Sequence, residues 1–560
     1  GQLGSVLGKA SRLARYDLYS GDPAYADREL AAIRAVTADD VMRVYRTYIK
    51  DKPVLATSFV PEGKAGLALT GAVRAQVVEE KIVQGAEAPV DPNQTAAYAK
   101  TPSSFDRSVE PPFGPRPALE IPAIWDASFA NGFTALGIED RELPLASFEI
   151  SIDGGRYLDD PEKPGVANLL ADMMTRGTAR RTPAELEETL KGLGAEVDVA
   201  VEDEHLVLRG RALARNFPAV IDIAEEIILE PRWDPAELEI AKAAATSQIQ
   251  ANRAEPTEIA QRAFEAVTYS PGHSFSHDLL GTEASVAAIT MDDLKAFHAR
   301  NVAPNVARFR LVGAVEEEDA EAALADLGSK WRRREVAFPA YPAPQQPAPS
   351  KVYFYDVPGA KQSVFAFGYP AVRPADPVYY RRTVANYILG GGGFASRLTQ
   401  QLREGKGYTY GIRSGFQGGA RDGMFTITSG VRSNVTLEAA DLVKSILADY
   451  PETLTAADLE VTRSALGRSR LRAFETTGAK LGLLRTIGDY GLPRDYLTRE
   501  ARIVDGMTLE GLQSIAARYV RPEAMHYVIV GDAATQASRL EALGFGPPVM
   551  INDRLEALEK

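Results

Sequence analysis

No cysteine occurs anywhere in the 560 residues, which excludes disulfides, thiolate metal sites and a cysteine nucleophile. Histidine is nearly as scarce, with five copies: His205, His273, His277, His298 and His526. No apolar run approaches the roughly 18 residues of a membrane-spanning helix. The N-terminus carries no signal-peptide pattern either, so no membrane insertion is expected. Positive charge is also in deficit. Lys+Arg number 63 against 76 Asp+Glu, a net charge of −13, which argues against nucleic-acid binding and mildly against an anionic membrane surface. What is present, 45% hydrophobic and 25% charged residues, fits an ordinary globular chain long enough for two or three domains with their own cores.

Internal repeats organise the chain. The segments beginning Ala35-Val-Thr37, Ala288-Ile-Thr290 and Gly506-Met-Thr508 share one grammar: a Thr able to cap a helix, acids in the first turn, then apolar residues at helical spacing. Each is followed by an apolar run read as a strand, at Val54 to Val60, Phe309 to Val312 and His526 to Val530. Thr290 and Thr508 lie 218 residues apart, and so do Val166-Ala-Asn168 and Val384-Ala-Asn386. Ala236-Glu-Leu-Glu and Ala457-Asp-Leu-Glu are offset by 221. Three matches in one order predict a tandem duplication.

Proline-rich stretches supply the boundaries. The expected layout is a C-terminal domain remnant at 1–63, an extended strap at 64–124 and a full domain at 125–337. A Pro-rich linker at 338–350, a second full domain at 351–546 and a tail at 547–560 complete it. Within each repeat, runs such as Ser147–Ile152 and Ser363–Gly368 precede helical patterns, which predicts an α+β class of tandem sandwiches, helices on a largely antiparallel sheet. The chain opens in mid-pattern and is expected to be a piece of a longer product.

Two motifs carry the chemistry. Gly165-Val-Ala-Asn168-Leu-Leu-Ala171-Asp172-Met-Met-Thr-Arg-Gly-Thr178 has the form of a metal-binding helix without its metal-binding residues. Leu389-Gly-Gly391-Gly392-Gly-Phe-Ala-Ser-Arg397-Leu-Thr-Gln-Gln-Leu-Arg403-Glu-Gly-Lys-Gly-Tyr-Thr-Tyr410 joins a glycine tetrad to an Arg and, seven residues on, a Tyr. No Gly-Lys-Ser/Thr follows the tetrad, so it is not a phosphate loop.

On these motifs and the repeats, the chain resembles the pitrilysin/insulinase family of zinc peptidases, whose ligand motif His-x-x-Glu-His lies on a helix. The resemblance implies four homologous domains, two per half, enclosing a peptide chamber. This chain matches the end of the second domain, the strap, and domains three and four. The zinc-ligand positions of the helix become Asn168 and Asp172, the general-base position becomes Ala171, and the third-ligand position falls at Gln248. A catalytic zinc needs three good donors and an open position for water, and losing the Glu removes the base, so no metal is expected on this chain. His273 and His277 stand four apart but follow Ser270-Pro-Gly272, which predicts a loop, and His205 begins no inverted motif, so these are expected to be structural.

The resemblance further implies that Arg403 orients a bound peptide and that Tyr410 stabilises the oxyanion of the tetrahedral intermediate. Gly391 and Gly392 would line the peptide site, and Arg397 would be structural. A phenol O–H can donate to developing negative charge, and a guanidinium grips a carbonyl or carboxylate in fixed geometry. The expected function is the non-metal half of a zinc endopeptidase acting on peptides. Zinc would be bound by an N-terminal half or partner subunit and by no residue of this chain, which alone would be inactive. The alternative is a non-catalytic peptide-binding or structural subunit of the same fold. Absence of cysteine suits a periplasmic or cell-envelope location, and a cytoplasmic one as well.

Overall fold

The computed structural model describes residues 5–61, 63–75, 104–106, 109, 120–347, 349–552 and 554–558. The chain divides into two compact units, Gly1–Val83 and Gln84–Lys560. Most of the expected strap at 64–124 lies outside the described residues.

In the first unit, helices span Val6–Ser20, Ala26–Ala35 and Ala38–Tyr48. Thr37 opens the third by reciprocal capping: its hydroxyl accepts the Asp40 amide at 3.2 Å, and the Asp40 carboxylate accepts the Thr37 amide at 3.1 Å. Thr290 opens the helix Met291–Asn301 the same way with Asp293, and the Thr508 hydroxyl accepts the Gly511 amide at the helix Leu509–Tyr519. The expected strand at Val54 to Val60 is not formed, and Leu55 and Phe59 are exposed. A strand needs a neighbouring backbone to satisfy its N–H and C=O groups, and the described residues of this unit provide none.

The second unit holds two mixed sheets. The first contains β1 (Trp125–Ser128), β2 (Thr134–Glu139), β3 (Leu145–Asp153), β4 (Glu196–Val201), β5 (His205–Leu213) and β6 (Ala307–Gly313), in the order β1-β2-β6-β3-β5-β4. The second contains β7 (Lys351–Asp356), β8 (Gln362–Ala371), β9 (Thr409–Gly418), β10 (Gly423–Arg432), β11 (His526–Gly531), β12 (Val549–Ile551) and β13 (Ala557–Leu558), in the order β13-β12-β7-β11-β8-β10-β9. Five strands correspond one to one. The pairs β2-β6 and β7-β11 are parallel, and every later neighbour in β6-β3-β5-β4 and β11-β8-β10-β9 is antiparallel. The duplication read from spacing is thus a duplication of topology. Within the segment expected as a tail, Val549–Ile551 pairs in parallel with β7, giving that strand's open edge a partner.

Each repeat covers the other's sheet. Helix Pro256–Thr268 of the first lays Ile259, Ala260, Ala263 and Phe264 against Ala366, Val528 and Val530 of the second sheet. Helix Thr477–Tyr490 of the second lays Leu483, Leu484 and Ile487 against Ile138 and Val312 of the first. The halves are therefore one cooperative body. Leu484 is fully buried at this junction, so Leu484→Ala is expected to cost about 2–5 kcal/mol, read from the urea midpoint, and a loss below about 1 kcal/mol would contradict that placement.

Candidate functional site

Helix Val166–Thr175 buries Val166, Leu169, Leu170, Met173 and Met174 in the first core. Its start is held by Asp159, whose carboxylate accepts the Gly165 amide at 2.9 Å and the Ala167 amide at 2.8 Å. Burial nonetheless pushes that carboxyl up to about 7, against the two hydrogen bonds. Nothing in the sequence marks Asp159, because it lies outside the helix it caps.

The zinc-like positions do not form a metal site. Ala171 is 2% exposed and carries no donor. Both Asp172 carboxylate oxygens are occupied by Arg176, at 3.0 and 3.1 Å, and Arg176 also reaches Glu237 at 3.1 Å. Asn168 is half-buried on the helix, whereas Gln248 is exposed on helix Pro235–Asn252 and donates to Asn252 Oδ1 at 2.7 Å. Two amides, a methyl group and a carboxylate already paired with an arginine do not fit a catalytic zinc. Among the described residues, no group of three His, Asp or Glu side chains is placed to hold a metal ion.

The histidines serve the structure. His273 is buried between the rings of Tyr269 and Tyr341, at 4.6 and 4.3 Å, and its Nδ1 accepts the Phe275 amide at 3.0 Å. Burial and the Arg156 charge hold it down to about 4, so it stays neutral. His298 and His526 donate to the carbonyls of Ile228 and Gln345, at 2.8 and 3.3 Å, and His277 to that of Pro271 at 3.0 Å.

His205 belongs to a charge network beneath helix Thr477–Tyr490. Its Nε2 lies 3.4 Å from Asp153 and 3.8 Å from Asp489, and Arg308 also binds Asp153. Burial opposes the charged imidazole, yet the carboxylates raise its pKa overall; burial likewise opposes the Asp153 anion, but His205 and Arg308 bring that group down to about 2. The raised His205 contributes stability below its ordinary value of about 6.5 and loses it as pH rises through the folded value. The depressed Asp153 contributes above about 3.9 and loses it towards 2. The melting temperature is expected to fall as pH rises from 6 to 9, and His205→Gln to flatten that fall; an unchanged slope in the variant would contradict the pairing.

The Arg403–Tyr410 segment is stitched to the second sheet. Helix Tyr379–Asn386 continues as a π-helical turn through Tyr387–Gly391, and a second π-helical segment spans Thr399–Gly405. Such widened turns are frequent at functional sites. Asn386 Nδ2 donates to the Ser414 carbonyl at 2.7 Å, and the Ser414 hydroxyl donates to Asn386 Oδ1 at 2.6 Å. A Cβ on Gly390 would fall 2.3 Å from Ser414 Oγ, so the tetrad there serves close approach of the helix to β9. Gly391 is exposed and Gly392 half-exposed, and the Gly392 amide donates to the Tyr387 carbonyl at 2.7 Å. The turn into β9 is tight: the Gly407 amide donates to Arg403 O at 3.0 Å, and Tyr408 N to Leu402 O at 2.8 Å.

On this rigid base the two expected groups are accessible. Arg403 is half-exposed, its guanidinium 4.6 Å over the Phe394 ring and its Nε 3.3 Å from Glu404. Tyr410, on the edge strand β9, is 91% exposed, and its hydroxyl has no hydrogen-bond partner among the described residues. Phe394, exposed beside Arg403, is absent from the sequence-based reading; the only signal for it is its place directly after the tetrad. Arg397, by contrast, is engaged with Thr453 and, at 2.9 Å, with Asp458.

The family model described as Insulinase (Peptidase family M16) matches residues 137–282, and one described as Peptidase M16 inactive domain matches 288–466, together more than half of the chain. The chain belongs to the insulinase family. This insulinase-family chain is 22% identical over 332 residues to the uncharacterized zinc protease YmxG of Bacillus subtilis, covering 59% of itself and 78% of that protein. It is also 22% identical over 400 residues to the non-peptidase homolog YmxG of Helicobacter pylori, covering 70% of itself and 90% of that protein. Among solved structures, the peptidase M16 inactive domain from Pseudomonas fluorescens superposes with a TM-score of 0.68 at 26% identity, over 73% of this chain and 98% of that one. The periplasmic protease PqqL from Escherichia coli superposes with a TM-score of 0.63 at 16% identity, over 76% of this chain and 50% of PqqL.

Proposed function

We propose that this chain is the non-metal half of a zinc metalloendopeptidase, completed by a zinc-bearing half from the same precursor or a separate subunit. The observation that carries the reading is the contrast between its two motifs. The zinc-helix positions are filled by groups that cannot hold a metal, whereas Arg403 and Tyr410 stand accessible on a segment tied down by Asn386, Ser414 and Gly390. The metal and the water-activating base belong to the other half. This chain contributes wall surface, a guanidinium at Arg403 to orient a peptide carbonyl or carboxylate, and an O–H at Tyr410 that donates to the carbonyl oxygen as it gains charge. The match to half of PqqL supports the pairing, and PqqL being a periplasmic protease supports placing this chain in the cell envelope, a location to be checked by fractionation.

The second reading, a non-catalytic peptide-binding subunit, is favoured by the similarity to a protein named as a non-peptidase homolog. Arg403→Ala in the mixed halves separates the two. A substrate-orienting Arg403 gives cleavage that falls about tenfold or more in kcat/KM, the scale of one hydrogen bond to a charged group. A mixture that retains peptides but never cleaves them supports the second reading.

A further inference from the structure

Phe394 stands exposed on a backbone that is held rigidly. The ring, directly after the glycine tetrad, is 60% exposed. Gly393 adopts φ +59°, a left-handed conformation open to glycine at no steric cost, and starts the tight turn Gly393–Ala395 that presents the ring. The Gly393 carbonyl accepts the Ser396 amide at 3.0 Å and the Ser396 hydroxyl at 2.7 Å, and Ser396 is fully buried. Gln400 Nε2 donates to the Phe394 carbonyl. Gln400 and Arg403 lie on the same π-helical segment, whose Thr399 hydroxyl donates to the Ile412 carbonyl of β9 at 3.3 Å. Ring and guanidinium are therefore mounted on one base.

Little besides the ring holds Arg403. Its guanidinium carbon lies 4.6 Å from the Phe394 centroid, inside the roughly 6 Å over which a ring face attracts a cation. Among the described residues the other partner of this side chain is Glu404, the next residue, at 3.3 Å. Both members of that pair are open to solvent, and such pairs order a long side chain weakly. Arg397 shows the contrast, since Thr453 and Asp458 fix its guanidinium by hydrogen bonds. A guanidinium covered on one face keeps its in-plane N–H groups free, and those are the groups that grip a carbonyl or carboxylate. A loose guanidinium would have to be ordered each time a peptide binds, and that entropy is lost from the binding energy.

We propose that Phe394 is a positioning residue for Arg403, its ring fixing the guanidinium so that the in-plane donors are ready for the peptide. The role rests on the function proposed above, in which Arg403 orients the substrate. It gives the ring no contact with the scissile bond or the metal.

Two measurements test this. In the mixed halves, Phe394→Ala is expected to lower kcat/KM about two- to fivefold, the scale of an exposed cation–π contact. Melting is expected to stay near wild type, because the ring is mostly exposed. Phe394→Tyr is expected to keep the wild-type rate, and Phe394→Leu, which has apolar bulk without a ring face, to be as slow as Phe394→Ala. With Arg403→Ala already present, Phe394→Ala is expected to cost nothing more, since the ring acts through the guanidinium. Effects that multiply in the double variant, or full activity in Phe394→Leu, would overturn the proposal. In this chain alone, the order parameter of the Arg403 Nε–H, its resonance assigned from Arg403→Lys, is expected to drop below about 0.6 in Phe394→Ala. Equal order parameters in wild type and variant would overturn the proposal whatever the other half does. A drop in the order parameter beside a wild-type mixture that cleaves nothing would contradict the peptidase reading while supporting the ring's hold on Arg403.

Discussion

Replacing Tyr410 by phenylalanine is expected to lower kcat of the two-half peptidase about 10²–10³-fold, or about 2.7–4 kcal/mol, with KM little changed. The deletion removes one oxygen and nothing else. Tyr410 is 91% exposed and its hydroxyl bonds to no described residue, so the folded state loses no interaction with it. A donor aimed at charge that develops only during reaction lowers kcat and kcat/KM equally when lost, whereas a group that merely binds the peptide raises KM. The measurement is a steady-state profile of Tyr410→Phe with melting as control. A variant with normal kcat would remove Tyr410 from the chemistry while leaving the fold reading intact.

The second large effect concerns stability. Arg310→Ala is expected to cost about 3–5 kcal/mol, a large part of the 5–15 kcal/mol that holds a typical domain folded. Arg310 sits on β6 at 1% exposure, bound to Glu149 of β3 at 2.8 Å and to Asp489 of helix Thr477–Tyr490. Arg485 of the same helix also binds Glu149. Removing Arg310 leaves Glu149 to Arg485 and leaves Asp489 with only Arg308 and His205, at 3.9 and 3.8 Å, so two buried carboxylates lose their buried partner and the penalty is that of under-compensated charge. A methionine at the same position removes the same charge, so Arg310→Met is expected to be nearly as harmful. Urea unfolding of both variants measures this, and a cost below about 1 kcal/mol would show that water reaches the network.

Much of this architecture was legible where the cause is local. Helix starts at Thr37, Thr290 and Thr508 follow from a hydroxyl and an amide three residues away, and the repeat spacing pointed to a tandem duplication, which the two sheets carry as a shared topology. The misses share a non-local cause. Val54 to Val60 has strand composition but no partner among the described residues, whereas Val549–Ile551 is too short to read as a strand yet forms one because β7 offers it an edge. The crossing of helices Pro256–Thr268 and Thr477–Tyr490 onto each other's sheets left no mark in the periodicity. The same holds for the site. Arg403 and Tyr410 were readable as a motif, and Asn168, Ala171, Asp172 and Gln248 as its counterpart. The clamp of Glu204, from the first repeat, on the hairpin between β9 and β10 joins residues more than 200 positions apart and left no mark in the sequence.

The most direct measurement is zinc content and cleavage of a quenched fluorescent peptide in three samples: this chain, the zinc-bearing half, and their mixture. The expected result is zinc in the second and third samples and cleavage only in the third. Stoichiometric zinc or cleavage in this chain alone would contradict the donor set at Asn168, Ala171, Asp172 and Gln248, and full cleavage by the zinc-bearing half alone would leave Arg403 and Tyr410 without a catalytic part.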